Sequence, residues 1–208
     1  MILMQLSAPA ERNKQPILNL LHQALPPQGK ALEIASGTGQ HVAWFAVGLP
    51  QWHWQPSDLD DVGFGSIQAH VAERNLPNVA APVRLDVTAA TWLATQSMAQ
   101  QFDLVYCANM LHIAPWACCT GLMQGAARHL APGGLLVTYG PYLEDGVPTS
   151  PGNLAFNTSL QTRNPAWGIR RREDVEQEAA LAGLHLAQRH AMPANNLLLV
   201  WHRGSAVR

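Results

Sequence analysis

The chain has 208 residues, 48% of them hydrophobic and 13% charged, with a formal net charge of −1. That length supports one domain with a sizeable core and leaves little room for two. The sparse, balanced charge supplies no basic field for a polyanion, so nucleic acid is not an expected partner, and apolar runs such as Leu135–Tyr139 and Leu197–Trp201 match buried strands, not a membrane span.

From residue 30 to 140, short apolar runs alternate with helical periodicities, the signature of βα units and a mainly parallel sheet. Before them, a helix over 9–25 sets Ile17, Leu20, Leu21 and Leu25 on one face and stops at Pro26-Pro27. A strand over 30–35 runs into a glycine-rich turn, Ser36–Gly39, then a helix to about Val47 and a tryptophan-rich strand over 52–56 closing on Ser57-Asp58. A helix over 61–75 leads to a strand over 81–85, and a helix over 89–98 to a strand over 102–107. The helix over 115–130 takes its proline at the start, and the turn Ala131-Pro132-Gly133-Gly134 opens a strand over 135–140.

Between 141 and 168 the periodicity fails, and prolines, glycines and asparagines dominate. This stretch reads as an ordered excursion over the carboxyl edge of the sheet, since long segments without regular structure are uncommon unless functional. Arg170, Arg171 and Arg172 open a helix over 172–181 as a solvated face. A hairpin of 184–191 and 197–202 follows, so one of these two strands runs against the others. The count is seven strands in one α/β domain. Cys107, Cys118 and Cys119 form no CxxC pair, which suits neither a disulfide framework nor a structural metal site. Met1–Gln5 has no charged leader or sustained apolar segment, so a secretory signal is not expected, and the cysteine usage points to a reducing cytoplasm.

The most informative segment is Ala31-Leu32-Glu33-Ile34-Ala35-Ser36-Gly37-Thr38-Gly39-Gln40-His41, an apolar strand that ends in two glycines and turns into a helix. Glycines there let backbone N–H groups face a ligand at the carboxyl edge of an open sheet. The third small residue of a dinucleotide fingerprint is replaced by Val42, which favours a ligand without a pyrophosphate. Glu33 sits inside the strand, where a charge either anchors the loop or reaches the cationic end of a ligand. Asp58 lies 19 residues beyond Gly39, near the spacing of a ribose-binding acid, with Asp60 as a near competitor. Asp86 completes a row of acids on the same edge, either as a ligand contact or as the cap of Asp86-Val87-Thr88.

Glu33–Gly39 resembles motif I of class I S-adenosylmethionine-dependent methyltransferases, and Asp58, Asp86 and Phe102–His112 are similar to their later motifs. The terminal hairpin resembles that family's reversed last strand. More narrowly, Ala10–Lys14, Trp54–Asp58, Asn109–Ile113 and Asn164–Arg170 look like a family of uncharacterised proteins related to methyltransferase-like protein 26, a resemblance over nearly the whole chain. It implies a Rossmann-like class I methyltransferase fold, with a seven-stranded, mostly parallel sheet, an antiparallel last strand and helices on both faces.

The implied cofactor is S-adenosylmethionine, held by Ser36, Gly37, Thr38, Gly39 and His41, with Glu33 beneath, Asp58 on the ribose and Asp86 near the adenine. Asn109 is expected beside the transferable methyl group; no Asn/Asp-Pro-Pro-Tyr/Phe sequence follows it, so the acceptor atom stays open. His112 is the candidate base, because its ordinary pKa suits proton transfer near neutrality; a histidine that only bonds a loop carbonyl is the alternative. Arg12, Asn13 and Lys14 either fold over the cofactor or a carboxylate substrate, or are surface polarity. Tyr142, Phe156, Arg163 and Trp167 are expected acceptor-site residues, with loop anchoring as the alternative. A small-molecule acceptor is expected; a protein that holds S-adenosylmethionine or its demethylated product without transfer is the rival reading.

Overall fold

The computed structural model describes residues 4–93 and 101–204. Helix α1 (Ala8–Ala24) precedes strand β1 (Gly29–Ile34), helix α2 (Gln40–Gly48), strand β2 (Trp52–Asp58), helix α3 (Phe64–Arg74) and the two-residue strand β3 (Val83–Arg84). The chain continues through β4 (Phe102–Ala108), a short 3-10 turn at Leu111–Ile113, α4 (Trp116–His129) and the long β5 (Leu130–Leu143). After α5 (Pro151–Arg163) come β6 (Arg170–Arg171), α6 (Arg172–Leu181), β7 (Leu184–Met192) and β8 (Asn196–Arg203).

The sheet order is β3-β2-β1-β4-β5-β8-β7, and β6 adds to the end of β5. Pairings from β3 to β5 are parallel, whereas β8 runs antiparallel to both β5 and β7. The hairpin therefore supplies the single reversed strand, inserted between β5 and β7. Because β1 leads outward to β2 and β3 before the chain crosses back to β4, the order reverses between β1 and β4, where open α/β sheets leave a crevice at their carboxyl ends.

Both faces are covered. On one, Ile17, Leu21, Val42, Phe45 and Ile67 of α1–α3 pack on Ala31, Trp52, Trp54, Leu104 and Tyr106. On the other, Leu122, Met123 and Ala126 of α4 and Val175 and Ala179 of α6 pack on Leu32, Phe102, Val105, Leu136 and Trp201. The split follows strand alternation, with Leu104 and Tyr106 to one side and Val105 and Cys107 to the other. No helix among the described residues is long and apolar enough to cross a membrane.

Several local expectations are corrected. The sheet has eight strands because Arg170–Arg171 pairs with Tyr142–Leu143. The turn expected at 131–134 is absorbed into β5 as a register slip opposite Phe102–Leu104, with Gly133 at φ +78°. Residues 89–93 are bends, not the start of a helix, with Leu93 at φ +55°, and 94–98 lie outside the described residues. The excursion over 141–168 contains α5, started by Ser150, whose side chain accepts from Asn153 N–H, with Pro151 just inside. Among its residues only Leu160 is buried, so the sequence carries no apolar stripe to reveal the helix.

Candidate functional site

The loop after β1 is held open by its backbone. Gly37 has φ +53°, and a Cβ there would meet nothing within 4 Å, so the space beside its Cα is open. Gly39, at φ +84°, begins α2, and a Cβ there would lie 2.8 Å from the backbone Cα of Ile67, so this position is fixed both by conformation and by the approach of α3. Ala35 also takes a left-handed conformation, φ +55°, which is costly for a residue with a Cβ.

Hydrogen bonds tie the loop to the end of β2. Ser36 N–H donates to Ser57 C=O at 2.9 Å, and Ser57 N–H donates back to Ser36 Oγ at 3.1 Å. Asp58 accepts from Gly37 N–H through Oδ2 and from its neighbour Leu59 N–H through Oδ1, both at 2.8 Å. Each carboxylate oxygen keeps a second lone pair for a ligand hydroxyl. Asp60, the competitor, spends Oδ1 on Val62 N–H in the following turn. Asp86 Oδ1 accepts from the backbone and hydroxyl of Thr88, which lowers its pKa, while Oδ2 accepts nothing among the described residues.

These residues line a cavity of about 440 Å³ in the crevice, within the usual range of small-molecule sites. Ser36, Gly37, Thr38, His41 and Asp58 form one side; Leu85, Asp86, Val87, Ile113, Ala114 and Cys118 form an apolar end with one acid; Ala108, Asn109 and Met110 form the third wall. Glu33 lies beneath, 2% exposed, on the strand face that otherwise holds Ala31 and, across the pair, Tyr106. Its Oε2 has no partner among the described residues, and burial pushes its pKa up to about 8.

Sequence reasoning missed the N-terminal strap. Gln5 N–H donates to Ser66 Oγ at 2.9 Å, whose own hydroxyl donates to Thr38 C=O at 2.8 Å. Gln40 accepts from Ser7 N–H and donates to Glu11 at 3.0 Å, so residues 5–11 are laced to the glycine loop, and Ser7 and Ala10 line the cavity. The readable signal was a glutamine directly after Gly39, in the first turn of a helix. Asn13 joins them: its Oδ1 meets His41 Nε2 at 2.6 Å, while Tyr106 OH meets His41 Nδ1 at 3.3 Å. Burial, with Lys14 nearby, holds His41 neutral by lowering its pKa to about 4.

Past the third wall lies a second cluster. Asn109 sits at φ +59°, tolerable for asparagine, and its N–H donates to Tyr139 C=O at 2.8 Å. His112 is buried behind it and meets Phe156 edge-on at 5.5 Å between centroids. The sequence-based pKa argument for His112 is corrected here: burial, helped by Arg170 and Arg163, lowers its pKa to about 4, so it is neutral at pH 7 and a weak base. Its carbonyl accepts from Gly168 N–H, and Arg170 donates to the carbonyls of Leu111, Ala114 and Ala166, locking this turn to the loop before β6. Arg163 lies over the Trp167 ring, Cζ 5.7 Å from its centroid.

Of the residues expected at the ligand, Arg12, Lys14, Gly39, Tyr142, Phe156, Arg163 and Trp167 do not line the cavity. Lys14 pairs with Glu11 and lies over Trp44, 4.2 Å from the ring centroid, and does not line the cavity. Arg12 is exposed and also outside its lining. Tyr142 is buried on the α4–α6 face, where its hydroxyl donates to Thr138 Oγ1 at 2.9 Å, and it does not line the cavity.

The architecture recurs in solved methyltransferases. An O-methyltransferase family protein from Burkholderia thailandensis matches 95% of this chain and 58% of its own length with a TM-score of 0.76 and 18% identity. Mitomycin 7-O-methyltransferase MmcR matches 95% of this chain and 56% of its own with a TM-score of 0.78 and 12% identity. Human N-acetylserotonin methyltransferase in complex with SAM matches 94% and 53%, with a TM-score of 0.76 and 13% identity. The chain thus spans a little over half the length of these structures, and at such identities the likeness is one of fold. At the level of sequence, the family model described as protein of unknown function (DUF938) matches residues 4–203, and the chain belongs to that family.

Proposed function

We propose that this protein transfers a methyl group from S-adenosylmethionine to a small-molecule acceptor. The observation that carries the reading is the cavity at the β1–β4 switch point, where open space over Gly37, the acid Asp58, the uncommitted Oδ2 of Asp86 and an apolar end meet in one crevice. The residues fit the group: Gly37 and Thr38 for its amino-acid end, Asp58 for the ribose hydroxyls, and Asp86 with Leu85, Val87 and Ile113 for the adenine. When bound, S-adenosylmethionine supplies a sulfonium methyl carbon open to in-line displacement. The protein's share is to orient the acceptor and exclude water, with Asn109 at the wall nearest the second cluster. Neutral His112 can accept a hydrogen bond from the acceptor, and the proton that the acceptor releases passes to water.

Kinship to methyltransferase-like protein 26, a single domain and a cytoplasmic setting belong to the same proposal, supported by the quoted segments and the sparse charge. Thermal unfolding with S-adenosylmethionine, with NADH as control, tests it. Ligand at about a hundred times its Kd adds about 2.7 kcal/mol, a rise of roughly 5–10 °C for a chain of this size. A rise with S-adenosylmethionine alone, followed by S-adenosylhomocysteine release on an acceptor panel, supports transfer. A rise without turnover on any acceptor favours the non-catalytic reading.

A further inference from the structure

The second cluster has a chemistry that the cofactor cavity does not use. Phe156, Leu160 and Arg163 stand at i, i+4 and i+7 and share one face of α5. Leu160 is fully buried, so that face is turned into the molecule, and Phe156 meets His112. His112 Nδ1 and Asn109 Oδ1 come within 3.5 and 3.9 Å of the point where a Cβ on Gly140 would stand, so the glycine lets both side chains converge over β5. Asn109 also lines the cavity. One continuous row therefore runs from the cavity through Asn109 and His112 to Phe156 and Arg163.

Charge along this row is one-sided. Arg74, Arg84, Arg171, Arg172 and Arg189 all pair with carboxylates, but Arg163 makes no ion pair among the described residues. Its Nε donates to Ser159 C=O at 3.3 Å, which leaves its terminal amino groups uncommitted among the described residues, and Trp167 lies against the guanidinium. Arg170 is already spent on three carbonyls. The charged groups that bear on His112 are these two arginines and no carboxylate. Arg12, likewise without an ion pair among the described residues, bears on the phenol of Tyr139, the residue before Gly140. Aromatic walls beside an uncommitted guanidinium suit a flat anion, and a guanidinium fork matches a carboxylate.

Resting on the function proposed above, we infer that the methyl acceptor is a small aromatic carboxylate, its ring against Phe156 and its anion on Arg163. A hydroxyl or amine on the ring, towards Asn109, forms the new bond to the methyl carbon as the bond to sulfur breaks, releasing S-adenosylhomocysteine and a proton. The test separates the two readings. Calorimetry first establishes S-adenosylhomocysteine binding; its absence sinks the proposed function and this inference with it. Protein saturated with S-adenosylhomocysteine is then titrated by NMR with benzoate, phenylacetate and 3-phenylpropionate, each against its amide. At least one acid binds about tenfold or more tightly than its amide and moves the His112 ring resonance. Arg163→Gln cuts that preference below about threefold, Arg163→Lys keeps part of it, and neither changes S-adenosylhomocysteine affinity. Equal binding of acid and amide, no binding of any acid up to about 10 mM, an unmoved His112 resonance, or a preference that survives Arg163→Gln overturns the inference. Phenyl phosphate binding more tightly than all three acids overturns the carboxylate assignment.

Discussion

The crevice and the cluster past Asn109 are built differently. On the β1–β2 side, Ser36, Gly37, Thr38, Gln40, Ser57, Asp58 and Ser66 are joined by backbone and side-chain hydrogen bonds, and Gly39 is pressed against α3. In the cluster, α5 rests on one buried residue, Leu160, with Phe156 37% and Leu154 53% exposed. A site fixed by backbone geometry holds one ligand shape with little freedom to vary. A helix held by few contacts can change its exposed face without disturbing the sheet, as expected where acceptor specificity resides.

The largest effect expected is on the rigid side. Gly39→Ala forces a Cβ into Ile67 at positive φ and costs about 2–4 kcal/mol, lowering Tm by on the order of 10 °C. Asp58→Ala strips a shared acceptor from Gly37 N–H and Leu59 N–H and the expected ribose contact. It weakens S-adenosylmethionine binding by about 10- to 100-fold in calorimetry, with a smaller loss of stability.

Next comes the pH dependence of stability. Glu33 is held neutral by burial, its folded pKa of about 8 above the ordinary 4.5, so the stability it contributes is full below 4.5 and lost as pH rises through 8. His41 and His112 act oppositely: with folded pKa values of about 4 against 6.5, their contribution is present above 6.5 and lost as pH falls towards 4. Melting curves of the wild type should peak at about pH 6 to 6.5, and Glu33→Gln should remove much of the decline on the alkaline side up to pH 8. An unchanged alkaline slope in the variant contradicts the assignment.

Smaller effects belong to the loosely held side and to the strained loop residue. Phe156→Ala should cost about 1 kcal/mol or less, a Tm change of about 2–4 °C at most, and leave S-adenosylhomocysteine affinity intact. A large loss of cofactor affinity would erase the distinction between the two regions. Ala35→Gly should raise stability by about 0.5–1 kcal/mol, because relief at φ +55° outweighs the added freedom of the unfolded chain.

The same division decides what could be read from the sequence. Strong apolar runs and two-glycine punctuation put the hairpin, the Gly37–Gly39 turn and the predicted strands other than β5 within about two residues of their places, because core burial dictates them; β5 starts five residues earlier and ends three later than expected, and the two-residue β6 carries no apolar run to reveal it. Helix α5 escaped because periodicity reports burial and this helix buries one side chain; the Ser150-Pro151 start was its only local mark. Asp86 was legible as a candidate, and it both bonds Thr88 and faces the cavity, so its two readings coexist. The strap through Gln5, Ser7 and Gln40 had one local mark, the glutamine directly after Gly39, but its partners lie 33 and 61 residues away in sequence and leave none. The low pKa of His112 likewise comes first from burial and then from Arg170 and Arg163, distant in sequence and adjacent only after folding.

The most direct test of the central claim is a calorimetric titration of the wild type and Asp58→Ala with S-adenosylmethionine. Saturable binding of one molecule per chain, weakened at least about tenfold by the substitution, is the predicted result. No heat and no thermal shift with millimolar ligand, or equal affinity in both proteins, would contradict the assignment of this cavity.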